Sequence, residues 1–222
     1  MKKNRRILII AGVVCILAAV LAGAYWNTRQ EPDSLQLSEV DASRPLAEFH
    51  GQPVYVKDIE RHMYNLAVAG QSNQQTAEES LTEILQNMVL YEEAIRLGYA
   101  ATQSEVDALV ENSKQAYATP EGKEMMDQYC EEVNITIDEY FKYLGEQAPS
   151  TIARQKLLDA VGKEYCEDHG LTFTKVNPPK EMIDARDAYV AELFAQAQGD
   201  IIYYTTGRVC PKFCVNTEMR CK

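Results

Sequence analysis

The longest agreement between apolar spacing and helix-end signals in this chain lies between Thr76 and Gly98. Thr76 followed by Glu79 has the spacing of a capping box, and Gly98 can take the left-handed conformation that ends a helix. At about 100° per residue, the apolar positions in between form one broad face and a smaller opposite face, so we expect a helix covered from two sides. The broad face comprises Leu81, Ile84, Leu85, Met88, Val89, Tyr91 and Ile95, and the opposite face comprises Leu90, Ala94 and Leu97.

Helical spacing continues on both sides of this segment. Capping boxes predict the start of two further helices, at Thr102 with Glu105 and at Thr136 with Glu139. Apolar periodicity or a glycine end signal defines the others. The additional helices are predicted at residues 58–70, 102–118, 125–133, 136–145, 149–170 and 182–199.

Strand patterns are few and short. Residues 46–56 predict a strand, a turn at His50 and Gly51, and then a second strand or a helix entry. The sequence IIYY at 201–204 is also typical of a strand. We expect the strand around Val54 to pair with the one at 201–204. The predicted fold class is therefore mainly α, a multi-helix domain with a small two-stranded element.

The first part of the chain has the organisation of a transmembrane signal-anchor. Residues 1–6 are basic, and residues 7–26 carry no charge over a length that can cross the hydrocarbon core as a helix. This charge pattern places the N-terminus in the cytoplasm and the bulk of a single-pass protein on the extracytoplasmic side of the cell membrane. Residues 27–44 are polar and predict a flexible stalk. The alternatives are a cleaved secretory signal ending near Ala24 and, as the weakest option, lipidation at Cys15.

Composition and charge narrow the possible partners. The chain is 46% apolar and 25% charged, which is typical of a folded domain. Its net charge of −11 disfavours nucleic acid, because phosphate binding needs a basic stripe. The only basic cluster lies at residues 2–6, where the membrane orientation already explains it. We therefore expect no nucleic-acid partner.

The cysteines beyond the predicted membrane segment do not define a metal site. Cys130 and Cys166 lie on separate predicted helices, where they either form a disulfide or act as small buried hydrophobes. Cys210, Cys214 and Cys221 lie in a terminal tail, in which a structural zinc site lacks a fourth nearby ligand. We interpret this tail as a disordered end or the product of a shifted reading frame, and expect no metal and no cofactor.

No pattern of catalytic side chains is found in the sequence. His50, His62 and His169 fall on separate predicted elements, without a serine, cysteine or carboxylate at a motif spacing. Glu92 lies within the apolar face of the central helix. It is either a functional acid or, as we prefer, a structural carboxylate paired with an arginine or at the rim of the core. We therefore predict no catalytic residues.

Two consecutive predicted helices are rich in tyrosine and methionine. Met126 and Tyr143 fall off the apolar stripes of their neighbours, which favours partial exposure of this surface. Flexible thioethers and amphipathic rings suit varied apolar partners. The alternative is an ordinary core. The candidate client-binding residues are Met125, Met126, Tyr129, Tyr140, Phe141 and Tyr143.

Several features follow one another in the order of a known family. A short strand turn at His50 and Gly51 comes first, at the place where that family usually has Asn-Gly. A helix follows whose last residues, 93–98, contain Glu-Ala and close on Leu-Gly, and the first turn of the next capped helix holds Glu105 and Val106. In these features the chain resembles the N-terminal chaperone domain of the SurA type, which is shared with PrsA-like foldases.

The resemblance implies a domain organisation. It covers about residues 46–169, and a helix and strand at 181–204 resemble the C-terminal segment that folds back onto the N-terminal part in that family. Residues 45–204 would thus form one SurA N-terminal-like domain. A linker at 170–180 would replace the parvulin-type prolyl isomerase domain that usually lies between the two parts. The cysteine-containing tail at 205–222 falls outside the resemblance.

These expectations combine into one function. The chain is expected to be a membrane-anchored extracytoplasmic chaperone-like protein that binds unfolded or secreted polypeptides without catalysis. One alternative is a structural or assembly subunit that binds one specific envelope partner, and another is an atypical peptidyl-prolyl isomerase. Because the parvulin domain is missing from the resemblance, we do not expect an enzyme.

Overall fold

The computed structural model describes Leu37 and residues 40–68 and 75–204. The mainly helical fold predicted from the sequence is confirmed for this part of the chain. A 3₁₀ turn, Gln198–Asp200, precedes the last strand. In chain order the other elements are β1 (Ala47–Phe49), β2 (Gln52–Val54), α1 (Val56–Val68), α2 (Ala77–Arg96), α3 (Gln103–Tyr117), α4 (Pro120–Glu132), α5 (Ile137–Asp168), α6 (Lys180–Ala197) and β3 (Ile201–Tyr203).

The chain forms two compact units. The first, which we call the helical unit, contains residues 93–172 and therefore α3, α4 and α5. The second, which we call the sheet unit, contains the described residues up to 92 and those from 173 onward. It holds the three strands, α1 and α6. Helix α2 begins in the sheet unit and its last residues belong to the helical unit.

The strands form one antiparallel sheet in the order β2-β1-β3. On one side of β1, Ala47 lies opposite Val54 of β2, and on the other side it lies opposite Tyr203 of β3. The predicted two-stranded element is therefore wrong, because the segments around Val54 and Ile202 both pair with β1 and not with each other. β1 has only three residues, which are too few to show a pattern of apolar and polar side chains that would have marked it as the central strand.

The turn between β1 and β2 is formed by His50 and Gly51, as the sequence predicts. Their φ angles are +46° and +80°, the combination that a type I′ hairpin turn requires. A left-handed conformation costs a residue other than glycine about 1–2 kcal/mol. Contacts of the His50 ring offset this cost, since it stacks on Phe49 with ring centroids 4.3 Å apart.

The sheet unit buries one apolar cluster, to which all three strands, α1, α2 and α6 contribute. Helix α2 supplies Leu81, Leu85 and Val89 from its predicted broad face. Leu90 and Ala94 on the opposite face are buried as well, so the prediction that this helix is covered from two sides is confirmed. Leu37 and Val40, which lie in the predicted stalk, are partly buried against the same cluster.

The end of α2 departs from the predicted faces. Ile95 and Leu97 are 43% and 45% exposed, although both belong to the apolar pattern.

Gly98 ends α2. It has a φ of +82°, and the Tyr99 N–H donates to the Ala94 carbonyl at 2.8 Å. This is the Schellman arrangement that the glycine predicts.

The helix starts follow their sequence signals. The Thr76 N–H donates to Glu79 Oε2 at 2.7 Å, and the Glu79 N–H donates to Thr76 Oγ1 at 3.2 Å, so the first capping box is formed. The capping boxes that open α3 and α5 are formed in the same way. All three sequence predictions of this kind are therefore confirmed.

Helix α5 is one continuous helix of 32 residues, whereas the sequence predicts two helices at 136–145 and 149–170. Pro149 lies inside it. An internal proline removes a backbone hydrogen bond and costs about 3 kcal/mol. Burial offsets this cost, since Ala148 and Ala153 on either side of the proline are almost fully buried. Tertiary packing thus overrides the local break signals.

Helix α4 begins at Pro120, before the predicted residue 125. The Thr119 hydroxyl accepts a hydrogen bond from the Gly122 N–H at 3.0 Å and so caps the helix. Proline is favourable at the first helical position, because the N–H it lacks would have no partner there. Residues 120–124, which lie between the predicted helices at 102–118 and 125–133, are therefore part of α4.

One alternative left open by the sequence is decided by the structure, and the predicted linker is confirmed. Residues 171–179 form neither helix nor strand. Cys130 and Cys166 are buried free thiols, which matches their interpretation as small hydrophobes and not as a disulfide.

Several predictions lie outside the described residues. They are the membrane segment at 7–26, the stalk apart from Leu37 and residues 40–44, Cys15, and the cysteine tail at 205–222. Within the part of the chain that is described, no helix combines the length and the apolarity that crossing a bilayer requires.

Replacing Ser80 by alanine is expected to stabilise the sheet unit by about 1 kcal/mol. Ser80 is fully buried in α2, and its Oγ has no hydrogen-bond partner among the described atoms. An unsatisfied buried hydroxyl costs about 1–3 kcal/mol, and alanine removes it without adding volume. Urea unfolding followed by circular dichroism measures the change.

The matched control for this substitution is Ser113→Ala, also within a helix. The Ser113 side chain is hydrogen-bonded to Tyr140, so its loss should lower stability although the gain in helix propensity is the same. If Ser80→Ala destabilised the protein as much as Ser113→Ala, the Ser80 hydroxyl would be satisfied.

Candidate functional site

The joint between α3 and α4 fixes the geometry of the helical unit. Ala118 ends α3, and Thr119 already caps α4. The Thr119 N–H and hydroxyl both donate to the Ala116 carbonyl, at 3.1 and 2.8 Å. Gly122 is buried directly against this carbonyl. So short a connection brings the last turn of α3, with Tyr117, close to the first turns of α4.

Four aromatic side chains from α3, α4 and α5 form a continuous row, which we call the aromatic row. The ring centroids of Tyr129 and Tyr140 are 5.7 Å apart, those of Tyr140 and Phe141 are 5.4 Å apart, and those of Phe141 and Tyr117 are 5.9 Å apart. All three contacts are edge-to-face, the favourable arrangement of ring quadrupoles. Each ring is partly exposed to solvent.

An ion pair holds one end of the aromatic row. Lys123 and Asp127 of α4 form a salt bridge, and the Tyr117 hydroxyl donates to Asp127 Oδ1 at 2.9 Å. The Lys123 ammonium also lies 5.0 Å from the centre of the Tyr117 ring. Hydrogen bonds from Lys123 and Tyr117 lower the pKa of Asp127, and the bond to Asp127 raises the pKa of Lys123. Both side chains are therefore charged at neutral pH.

Tyr140 of the aromatic row and the buried Cys130 thiol are neutral at ordinary pH. Burial raises the pKa of Tyr140, whose hydroxyl bonds with Ser113, and it also raises the pKa of the Cys130 thiol. A thiol that stays protonated is a poor nucleophile. The arrangement therefore offers partly exposed ring edges for contact with another molecule.

The six candidate binding residues have different positions in the structure. Tyr129, Tyr140 and Phe141 are brought together in the aromatic row. Met125 is 45% exposed, whereas Met126 is only 5% exposed, so the prediction that Met126 lies at the surface is wrong. The remaining candidate, Tyr143, is half-buried.

Sequence reasoning missed several residues of this surface. Tyr117 completes the aromatic row, and Lys114 lies 5.7 Å from the centre of the Phe141 ring. Lys123 and Asp127 were also missed, although their spacing of four residues is the signal of an ion pair on a helix. The contacts between helices had no comparable signal in the sequence.

None of the three histidines belongs to the aromatic row, and those at 50 and 62 pair with carboxylates of α2. His50 Nδ1 lies 2.7 Å from Glu92 Oε2, and its Nε2 lies 3.9 Å from Asp200. His62 Nε2 lies 3.2 Å from Glu83. Glu92 lies at an exposed position and pairs with a histidine, whereas the sequence analysis expected an arginine partner or a position at the rim of the core.

The third histidine closes a helix. The His169 ring stacks on Tyr165, with centroids 4.0 Å apart, and its Nδ1 donates to the Tyr165 carbonyl at 2.8 Å. His169 is the C-cap of α5, where a donor to the last carbonyls is stabilising.

Lowering the pH from 4.5 towards 2 is expected to remove a stabilising interaction between α3 and α5. Lys156 Nζ lies 2.6 Å from Glu105 Oε2. This bond and those from Thr102 lower the pKa of Glu105 from 4.5 to about 2. A carboxyl group whose pKa is depressed on folding stabilises the protein above the unfolded pKa, and that contribution is lost as the pH falls to the folded pKa.

The test compares Lys156→Met with the wild type by urea unfolding at several pH values. The variant should unfold at lower urea than the wild type at pH 7, and the gap should shrink between pH 4.5 and 2. The matched control is Lys142→Met, which removes a looser exposed pair with Glu146 at 4.0 Å and should change the midpoint less. A gap that is the same at pH 7 and pH 2.5 would contradict the assignment.

Neither possible metal ligands among the described residues nor a comparison with known proteins adds evidence about the site. Among the described residues, no group of three histidine, cysteine or carboxylate side chains is arranged to hold a metal ion. No protein-family model, curated protein or solved structure matches this chain.

Proposed function

We propose that this protein is a membrane-anchored extracytoplasmic chaperone-like protein that binds unfolded or secreted polypeptides without catalysis. The observation that carries the proposal is the aromatic row of the helical unit, whose rings contact one another edge-to-face and are partly exposed. Met125 lies one helical turn before Tyr129 and extends the apolar surface towards solvent.

The physical properties of this surface suit unfolded clients. Aromatic rings with few rotatable bonds offer contact area at a low entropy cost, and a methionine thioether adapts its shape to different partners. An unfolded chain presents varied apolar side chains, so adaptable contact serves it better than a closed pocket of fixed shape. The proposal therefore requires no chemical step.

The family resemblance supports the same proposal. The hairpin turn, the helix ending at Gly98 and the capped α3 occur in the order typical of a SurA-type N-terminal chaperone domain. The irregular linker at 171–179 is where the parvulin domain would be inserted in that family. In this proposal the uncharged segment at 7–26 anchors the protein, with the N-terminus in the cytoplasm and both units outside.

A holding activity is tested with the full chain in lipid nanodiscs. A chemically denatured test protein is diluted from denaturant in the presence of the nanodiscs, and its aggregation is followed by light scattering. The full chain should suppress aggregation at equimolar to fourfold excess, and empty nanodiscs should not. No suppression at fourfold excess would refute the holding activity.

A pair of variants tests whether the aromatic row is the surface used. Met125→Ser should weaken suppression, because it removes the exposed apolar side chain next to Tyr129. Val176→Ser is the matched control, since Val176 is 71% exposed in the linker and is not part of the helical unit. Equal suppression by both variants would place the binding surface elsewhere.

The alternative functions predict other results. An assembly subunit would give one dominant partner on crosslinking in its native membrane, whereas a holding protein would give a spread of secreted proteins. An atypical prolyl isomerase would accelerate isomerisation of a proline peptide above the background rate.

A further inference from the structure

The net negative charge of this protein is concentrated in the helical unit. Residues 93–172 contain 16 aspartate and glutamate residues and 7 lysine and arginine residues, whereas the rest of the chain contains 17 and 15. Nearly all of the net negative charge therefore lies in the unit that carries the aromatic row. A charge of one sign on one unit attracts partners of the opposite sign.

The cations of the helical unit are mostly engaged by carboxylates. Five of its seven basic side chains form ion pairs within the unit. On α4 the only cation is Lys123, and it is paired with Asp127. Glu121, Glu124 and Glu131 on the same helix are exposed, and no cation pairs with them in the described chain.

Glu121 lies in the first turn of α4, where the helix dipole favours a carboxylate, but the acidic residues of this helix lie close enough to repel one another. Glu121 and Glu124 are three positions apart, and Asp127 and Glu131 are four apart, so like charges are neighbours on the helix surface. Glu131 also lies in the last turn, which contains no basic residue and where the helix dipole disfavours a carboxylate. A cationic partner would relieve this repulsion.

The same carboxylates lie on one side of the exposed apolar side chain of the surface. At about 100° per residue, Glu121 lies about 40° from Met125, and Glu124 and Glu131 lie about 100° and 120° from it in the same direction. Tyr129 lies on the other side, about 40° away, and connects Met125 to the aromatic row. The surface thus places an apolar contact next to an acidic rim.

We propose that this face of α4 binds polypeptide segments in which lysine or arginine flanks apolar residues. The apolar residues contact Met125 and Tyr129, and the flanking cations pair with Glu121, Glu124 and Glu131. This inference rests on the proposed function and names the class of segment that the surface selects.

The experiment measures the binding of fluorescent peptides to the full chain in zwitterionic nanodiscs by fluorescence anisotropy. Three peptides share one apolar core, flanked by lysine, by glutamine or by glutamate, and a fourth combines lysine flanks with a serine core. At 50 mM salt the lysine-flanked apolar peptide should bind at least about tenfold more tightly than the glutamate-flanked one. At 500 mM salt this difference should fall below about threefold, and the serine-core peptide should bind weakly throughout.

The carboxylates are tested by the triple variant Glu121→Gln, Glu124→Gln and Glu131→Gln. This variant should bind the lysine-flanked peptide about tenfold more weakly than the wild type does. Its affinity for the glutamine-flanked peptide should stay within about twofold of the wild-type value. A matched control neutralises three exposed carboxylates on α3 and α5 and should leave both affinities unchanged. The control substitutions are Asp107→Asn, Glu164→Gln and Asp168→Asn.

The outcomes separate the two proposals. Equal binding of the three flanked peptides, with aggregation still suppressed, would overturn the charge preference and leave the holding activity in place. An equal effect of the two triple variants would show a dependence on overall charge and overturn the assignment to α4. If none of the peptides bound, the inference would be overturned. If the full chain also failed to suppress aggregation, the proposed function would be overturned as well.

Discussion

Replacing Gly122 by alanine is expected to destabilise the helical unit by at least about 3 kcal/mol. A Cβ atom at Gly122 would lie 2.0 Å from the Ala116 carbonyl oxygen and 2.9 Å from Thr119 Oγ1. The nearest obstacle is backbone, which cannot rotate away. The carbonyl also accepts the Thr119 N–H and hydroxyl, so moving it would disrupt two further hydrogen bonds.

Helix propensity predicts the opposite sign for this substitution. Within a helix, alanine is favoured over glycine by about 1 kcal/mol, so an unhindered site would be stabilised. The steric conflict exceeds this gain several times, and we expect the clash to decide the result. Urea unfolding followed by circular dichroism measures the net change in the free energy of unfolding.

Gly145→Ala is the matched control on α5. The nearest atom to a Cβ at Gly145 is Val110 Cγ2 at 3.8 Å, an ordinary van der Waals distance. This substitution should therefore raise stability by about 0.5–1 kcal/mol. If both alanine variants raised stability, the result would contradict the close approach of Gly122 to the Ala116 carbonyl at the joint between α3 and α4.

Features that depend on neighbouring residues were predictable from this sequence. The three capping boxes and the glycine that ends α2 were confirmed, because their hydrogen bonds join residues three to five positions apart. The hairpin turn at His50 and Gly51 is of the same kind. Local chemistry determines such features whatever the rest of the chain does.

Features that depend on distant residues were not predictable. Pro149 and Gly145 indicate a helix end, but α5 continues past both because its neighbouring alanines are buried. The centre of the sheet was missed because β1 gains its two partners from opposite ends of the sheet unit's sequence. No window of sequence contains that information.

The candidate surface shows the same distinction on a smaller scale. The enrichment in aromatic and methionine side chains was visible, but the exposed methionine was chosen wrongly. The buried stripe of α4 runs through Gly122, Met126 and Cys130. Because glycine has no apolar side chain, Gly122 adds nothing to the apolar periodicity of α4. The periodicity therefore favoured a buried stripe containing Met125 as much as the one containing Met126. The close approach of Gly122 to Ala116 shows which side of α4 is buried.

Replacing Leu85 by alanine is expected to destabilise the sheet unit by about 3 kcal/mol, within the usual range of about 2–5 kcal/mol. Leu85 is 0% exposed and belongs to the cluster to which the strands, α1, α2 and α6 contribute. Deleting its side chain loses the transfer free energy of three buried carbon atoms and leaves a cavity that short strands can fill only partly. The change is measured by urea unfolding followed by circular dichroism.

Ile95→Ala is the matched control, because Ile95 lies on the same predicted apolar face of the same helix. Its side chain is 43% exposed, so its truncation should cost less than about 1 kcal/mol. Periodicity alone assigns the two residues equal importance, whereas the structure separates them by burial. Equal losses for Leu85→Ala and Ile95→Ala would mean that the end of α2 is covered in solution, and the exposure assigned to Ile95 would then be wrong.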